Sequence, residues 1–197
     1  MRIGVATLAL AVCAGAHAAE GSRRSAAEAM DVVMWNREPV GGPFALTDHH
    51  GKRRTDADFR GRLMLVYFGY TYCPDVCPTD LLQIGLAMKK LGPAAKSVQP
   101  LFITLDPERD TARHLAGYVP HFDPRLLGLT GTAAATSAAA DAYKVYYKKV
   151  PGLSPGAYSV DHTAFIYLMD RKGRYLGFFP PGTPAERMVE LIRQHLR

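Results

Sequence analysis

Two cysteines, Cys73 and Cys77, stand four positions apart in the stretch Tyr70-Thr71-Tyr72-Cys73-Pro74-Asp75-Val76-Cys77-Pro78. Packing alone gives no reason to pair thiols in a loop between prolines. A thiolate is both the attacking group of disulfide exchange and a soft metal ligand. The pair can therefore cycle between dithiol and disulfide, or hold a soft ion jointly. Cys77 directly precedes Pro78, a residue suited to the first turn of a helix. Free N–H groups and the helix dipole at such a start favour a thiolate, so the sequence predicts two thiols of lowered pKa. Zinc normally takes four protein ligands in a closed structural site, and no second cysteine pair exists to supply them.

The candidate nitrogen donors are His49, His50, His114, His121, His162 and His195. His49 and His50 fall in a polar turn. His114 and His121 lie near a helix end and read as solvated. His195 is in the last turn of the C-terminal helix, where an imidazole suits the dipole. His162 sits in Val160-Asp161-His162-Thr163, just ahead of the apolar run Ala164-Phe165-Ile166-Tyr167. It reads either as a ligand, with Asp161 available to orient it, or as a structural residue at a strand start.

These residues need a scaffold, and the hydrophobic pattern describes one. Residues 63–69 (Leu-Met-Leu-Val-Tyr-Phe-Gly) form a short apolar run, the signature of a strand buried on both faces of a parallel sheet. Leu81, Ile84, Met88 and Leu91 mark one face of a helix that Gly92-Pro93 stops. Further strands are expected at 98–105, 126–129, 164–169 and 175–179, with helices at 110–118 and 132–143. Residues 145–147 and 158–160 look extended. Residues 44–46 and 53–55 flank Asp48-His49-His50-Gly51 as a hairpin. Thr183, Pro184 and Glu186 predict a capping box for a final helix whose packed side carries Met188, Leu191, Ile192 and His195. The order gives an α/β fold: a central mixed sheet flanked by helices, with an added N-terminal hairpin. A thioredoxin-like arrangement fits it. The cysteines then lie at the carboxyl end of a buried strand, where α/β sheets place their ligands.

The chain has 197 residues, 48% hydrophobic and 21% charged, enough for one globular domain and not a disordered polyelectrolyte. A formal charge of +6 is spread along it. With no basic block or zinc-finger spacing, nucleic acid is not an expected partner. Arg2, the apolar run from Ile3 to Val12 and Ala16-His17-Ala18 read as an export signal cleaved after Ala18. Residues 1–18 are thus expected to be removed, 19–40 to form a flexible tether and 41–197 to form the domain. A lipid anchor at Cys13 is the lesser reading, because Val12 is bulky for such a site. The expected compartment is the periplasm, where the two remaining cysteines meet an oxidising system.

Five segments share a pattern beyond these local signals. Gly-Gly-Pro-Phe at 41–44, Tyr-Phe-Gly-Tyr-Thr-Tyr-Cys-Pro-Asp-Val-Cys-Pro at 67–78, Leu-Asp-Pro-Glu-Arg-Asp-Thr at 105–111, Gly-Leu-Thr-Gly at 128–131 and Asp-His-Thr at 161–163 resemble, in order, the Sco/SenC family. The long cysteine motif is specific; Asp-His-Thr alone is not. The resemblance covers roughly residues 40–197. It implies a thioredoxin-like fold and a copper-handling role in cytochrome c oxidase assembly, with Cys73, Cys77 and His162 as copper ligands. Many members keep a membrane-spanning anchor, which the short leader here does not match.

The expected function is therefore a periplasmic metallochaperone carrying Cu(I) or Cu(II) to the dinuclear copper site of cytochrome c oxidase subunit II. Further partners would be other periplasmic copper chaperones or thioredoxin-like reductants. The alternative is a thiol–disulfide oxidoreductase in which Cys73 and Cys77 reduce the cysteines of that site; only the copper reading needs His162. A peroxiredoxin is disfavoured. Its threonine lies three residues before the reactive cysteine, where this chain has Tyr70, and Thr71 is one position too late.

Overall fold

The computed structural model describes residues 25–35 and 37–196. The leader, its cleavage point and Cys13 lie outside the described residues. The chain builds helix α1 (Ala26–Trp35), then the hairpin β1 (Ala45–Asp48) and β2 (Arg53–Thr55). Strand β3 (Leu63–Gly69), helix α2 (Val76–Leu91), strand β4 (Val98–Thr104), helix α3 (Ala112–Tyr118), strand β5 (Leu127–Thr130) and helix α4 (Ala133–Ala142) follow. Next come β6 (Tyr147–Pro151), β7 (Tyr158–His162), β8 (Ile166–Met169), β9 (Tyr175–Phe179) and helix α5 (Ala185–Leu196).

Seven strands form one sheet in the order β2-β1-β5-β4-β3-β8-β9. β3, β4 and β5 run parallel, while β8 is antiparallel to β3 and to β9. The sheet is mixed, as expected, and its β4-β3-β8-β9 half with α2 and α5 has the thioredoxin-like arrangement. The N-terminal hairpin extends the sheet by pairing β1 with β5. β6 and β7 leave it and make a two-stranded ribbon of their own.

Every residue of β3 and of β4 is buried. Their unbroken apolar runs follow from having neighbours on both edges and helices against the faces. α2 turns Leu81, Ile84, Ala87 and Met88 inward, and all four are fully buried. Burying each large apolar side chain here contributes about 1.5–3 kcal/mol.

Two expectations about the ends need correction. The segment read as a tether holds α1, which buries Ala29, Val32 and Val33. Their i, i+3, i+4 spacing is a short apolar stripe, and Tyr175 Oη donates to the Val33 carbonyl at 3.3 Å. At α5, the Thr183 hydroxyl donates to the Pro180 carbonyl at 2.6 Å, and Glu186 pairs with Lys90 of α2 at 3.0 Å. Packing against α2 thus takes the Glu186 side chain that a local capping box would use. α5 packs through Ala185, Met188, Val189 and Ile192, while His195 is exposed. Among the described residues, no helix is long and apolar enough to cross a membrane.

Candidate metal centre

The site begins where β3 ends. Gly69 closes the strand, and a Cβ built on it would come within 2.8 Å of Cys77 Sγ. Glycine is therefore what lets the buried thiol rest against the strand backbone. The chain then turns through Tyr70–Asp75 and enters α2, placing Cys77 in its first turn. Cys77 is fully buried, whereas Cys73 is half-buried at the rim, and both are free thiols.

The two thiols are not equivalent. The Cys77 amide donates to Cys73 Sγ at 3.4 Å. The Cys77 thiol, with the Asp75 and Cys77 amides, stabilises the Cys73 thiolate and lowers its pKa to about 5 against the burial penalty. The neighbouring Cys73 and burial push Cys77 the other way, well above the usual thiol range. The expectation of two lowered thiols is thus corrected. The helix-start amides serve the cysteine outside the helix, and the cysteine inside it becomes the proton-holding partner.

His162 comes from the end of β7, not from the start of the next strand. Its Nε2 lies 3.6 Å from Cys77 Sγ. Its Nδ1 lies 3.0 Å from the Val160 carbonyl, which can only accept, so Nδ1–H donates and Nε2 presents its lone pair to the thiols. The ring is held by that carbonyl and by Tyr70, edge-on at 5.8 Å. Asp161 does not orient it: strand alternation sends Asp161 outward beside Lys148, exposed. Among the described residues, no three His, Cys, Asp or Glu side chains form a ready-made metal cage. Cys73 and Cys77 adjoin and His162 meets Cys77, so two sulfurs and an imidazole nitrogen gather at one place. Two soft sulfurs and one borderline nitrogen suit copper, and three donors leave a side open.

Several residues around the thiols escaped sequence reasoning. Asp80, fully buried in α2, accepts from the Gly182 amide at 2.8 Å through Oδ1, and Oδ2 has no hydrogen-bond partner. Burial raises its pKa. The Tyr67 hydroxyl is buried beside Cys77 and Asp80, and burial raises its pKa too. Asp110 accepts from the Thr71 amide (3.0 Å), the Thr71 hydroxyl (2.6 Å) and the Thr104 hydroxyl (2.7 Å), tying the cysteine loop to the end of β4. Because Thr71 spends its proton on Asp110, His114 Nε2–H donates to Thr71 Oγ1 at 2.9 Å. Arg109 lies over Tyr158 at 3.7 Å and Tyr72 at 4.6 Å, pairs with Asp106, and donates to the Tyr158 carbonyl at 3.1 Å. The available signals were the segments at 67–78 and 105–111, which contain Tyr67, Thr71, Arg109 and Asp110 but gave them no role.

The other histidines do not join the thiols. His49 Nδ1 accepts from the Gly128 amide at 3.1 Å, and burial lowers its pKa. It staples the hairpin to β5. His114 is not merely solvated, since it stacks on Tyr72 at 5.6 Å.

The SCO1/SenC family model matches residues 33–197, and the chain belongs to that family. The bovine mitochondrial SCO2 homologue is 43% identical over 157 residues, covering 79% of this chain and 59% of the relative. This chain thus spans well under two thirds of that relative's length. The structure of Bradyrhizobium japonicum ScoI with copper bound superimposes with a TM-score of 0.75 at 44% identity, covering 79% of this chain and 99% of that one. Yeast Sco1 with copper bound gives 0.74 at 38%, covering 81% and 89%. The periplasmic address read from the leader is corrected: bovine, human and yeast relatives are mitochondrial proteins. A short apolar leader does not by itself distinguish one membrane-bounded compartment from another.

Proposed function

We propose that this protein carries copper as cargo on Cys73, Cys77 and His162, and delivers it to the dinuclear copper site of subunit II during cytochrome c oxidase assembly. The observation that carries the reading is His162 Nε2 turned toward Cys77 Sγ at 3.6 Å, with its other nitrogen committed to a backbone carbonyl. A residue that merely begins a strand does not need its lone pair aimed at a thiol. Two relatives whose structures contain copper share the fold. Thiolates favour Cu(I), and the added imidazole makes the donor set acceptable to Cu(II). An incomplete coordination shell at the rim suits release to an acceptor better than storage.

A second reading, thiol–disulfide exchange with the same subunit, is favoured by one observation. The rim thiol Cys73 has a pKa of about 5 beside a buried, proton-holding Cys77, the asymmetry an attacking and a resolving thiol require. The test begins with copper addition to fully reduced and fully oxidised protein. Reduced protein should take up one equivalent with a sulfur-to-metal charge-transfer band, and oxidised protein none. Equal uptake by both forms would remove the two sulfurs from the site.

A further inference from the structure

Beside the cysteine loop lies an open groove of about 580 Å³ whose lining includes Arg109, Arg113, His114, Gly117, Tyr118 and His121, and no carboxylate. We infer that this groove docks an acidic segment of the protein with which Cys73 exchanges its cargo. The inference rests on the copper-carrier reading and adds the surface on which the transfer partner is recognised.

Three observations carry it. The first is charge. Arg113, His114 and His121 are exposed, and Arg113 makes no ion pair among the described residues. Of the carboxylates adjoining these residues in sequence, Asp110 is buried and holds Thr71 and Thr104, Asp106 pairs with Arg109, and Asp123 pairs with Arg125. Arg113 is thus the groove's cation without an ion-pair partner among the described residues, and no carboxylate lines the groove, so an acidic chain is its complement. The second is its floor. A Cβ added at Gly117 would meet nothing within 4 Å. Glycine in a helix costs up to about 1 kcal/mol relative to alanine, and no neighbour here asks for its small size. The groove is open over Gly117, so a long charged side chain placed there would enter it. The third is the link to the thiols. His114 stacks on Tyr72 and donates to Thr71, the two residues that precede Cys73. A segment seated in the groove is thus held against the loop that presents Cys73, and exposed Tyr72 forms the lip between them.

The probe is a fluorescent decaglutamate peptide, titrated into the reduced protein at low and at moderate salt. Its contacts are mapped by amide chemical shifts. Arg113→Glu and Gly117→Glu are the variants, since neither touches the thiols or His162; Gly117→Ala controls for helix effects. The peptide should perturb Tyr72 and residues 113–121, bind more weakly as salt rises, and lose about tenfold in affinity in both Glu variants but not in Gly117→Ala. Copper stoichiometry and spectra should not change, while the rate of copper transfer to the isolated copper domain of subunit II should fall about tenfold. Peptide binding elsewhere, binding insensitive to both Glu variants, or binding only to anionic lipid vesicles would overturn the groove. A wild-type protein that seats the peptide here yet transfers no copper would overturn the carrier reading and leave the groove standing.

Discussion

The cysteine loop and the β6–β7 ribbon meet at one point and are built on opposite terms. The loop hangs between β3, buried at every position, and α2, whose inner face is buried throughout. The ribbon is a separate two-stranded sheet, exposed at Lys148–Pro151 and buried at Val160. An isolated hairpin is marginally stable in water, so this one depends on what it leans against. It leans on Arg109, stacked over Tyr158 and donating to its carbonyl, and on the Asp106 carboxylate that accepts from Tyr158 Oη at 2.8 Å. The sulfurs are thus fixed by the core, and the imidazole is delivered by a polar, outlying arm. In the proposed copper site this division would leave the grip on a soft ion to the sulfurs and the nitrogen that Cu(II) prefers to the arm.

The largest effect should come from the rigid side. Cys77→Ser should reduce copper affinity by more than the ~10–100-fold typical of losing an outer-shell partner, because it removes one of the proposed ligands. Isothermal titration of reduced protein with Cu(I) checks this, and near wild-type affinity would break the comparison. Gly69→Ala should follow. Its methyl group would enter the 2.8 Å space beside Cys77 Sγ, costing about 1–3 kcal/mol as overpacking and displacing the thiol. A chemical melt and a copper titration should both shift. A change in stability alone would mean that Cys77 can move without consequence.

Acid sharpens the difference between the thiols. With Cys73 lowered to about 5, its alkylation rate should rise with a midpoint near that pH, while Cys77 stays unreactive to well above neutrality. The corresponding stability has a fixed sign. The folded state favours the Cys73 thiolate, so that contribution is full above the unfolded thiol pKa near 9 and is lost as pH falls toward about 5. Mass-resolved alkylation across pH 4 to 9 reads the reactivity. The smallest effect should come from the ribbon's anchor. Arg109→Met keeps the apolar stem but removes the charge over Tyr158 and the bond to its carbonyl. It should loosen Cu(II) binding a few-fold and leave Cu(I) binding and the thiol redox couple unchanged; losing all three together would make Arg109 a structural residue only.

The rigid half of this division was legible in the sequence, while of the outlying half only the extended run at 158–160 and His162 as a candidate were. The apolar run at 63–69, the helix face through Leu81, Ile84 and Met88 and the Gly92-Pro93 stop are local signals, and the structure follows them to within a residue or two. The cysteine pair needs no fold to be noticed. His162 could be nominated, but its orienter could not: Asp161 is adjacent in sequence, whereas strand alternation hands the task to the Val160 carbonyl. The Thr71–Asp110–His114 chain and the Arg109 stack join segments roughly 40 or more residues apart, and no periodicity encodes them. The helix at Ala26–Trp35 was missed because its apolar stripe is one patch of Ala29, Val32 and Val33 in an otherwise polar, alanine-rich stretch. The thiol asymmetry required knowing which sulfur receives the helix-start amides.

The central claim is that the ribbon brings His162 to a copper site whose sulfurs the core already holds. Cu(II) titration of His162→Ala, with absorption and paramagnetic resonance beside a thermal melt, tests it most directly. The account predicts a folded variant that still binds one Cu(I), keeps its Cys73–Cys77 redox couple, and binds Cu(II) at least about tenfold more weakly with altered hyperfine splitting. Unchanged Cu(II) spectra and affinity in a well-folded His162→Ala variant would contradict it and leave thiol–disulfide exchange as the function of the pair.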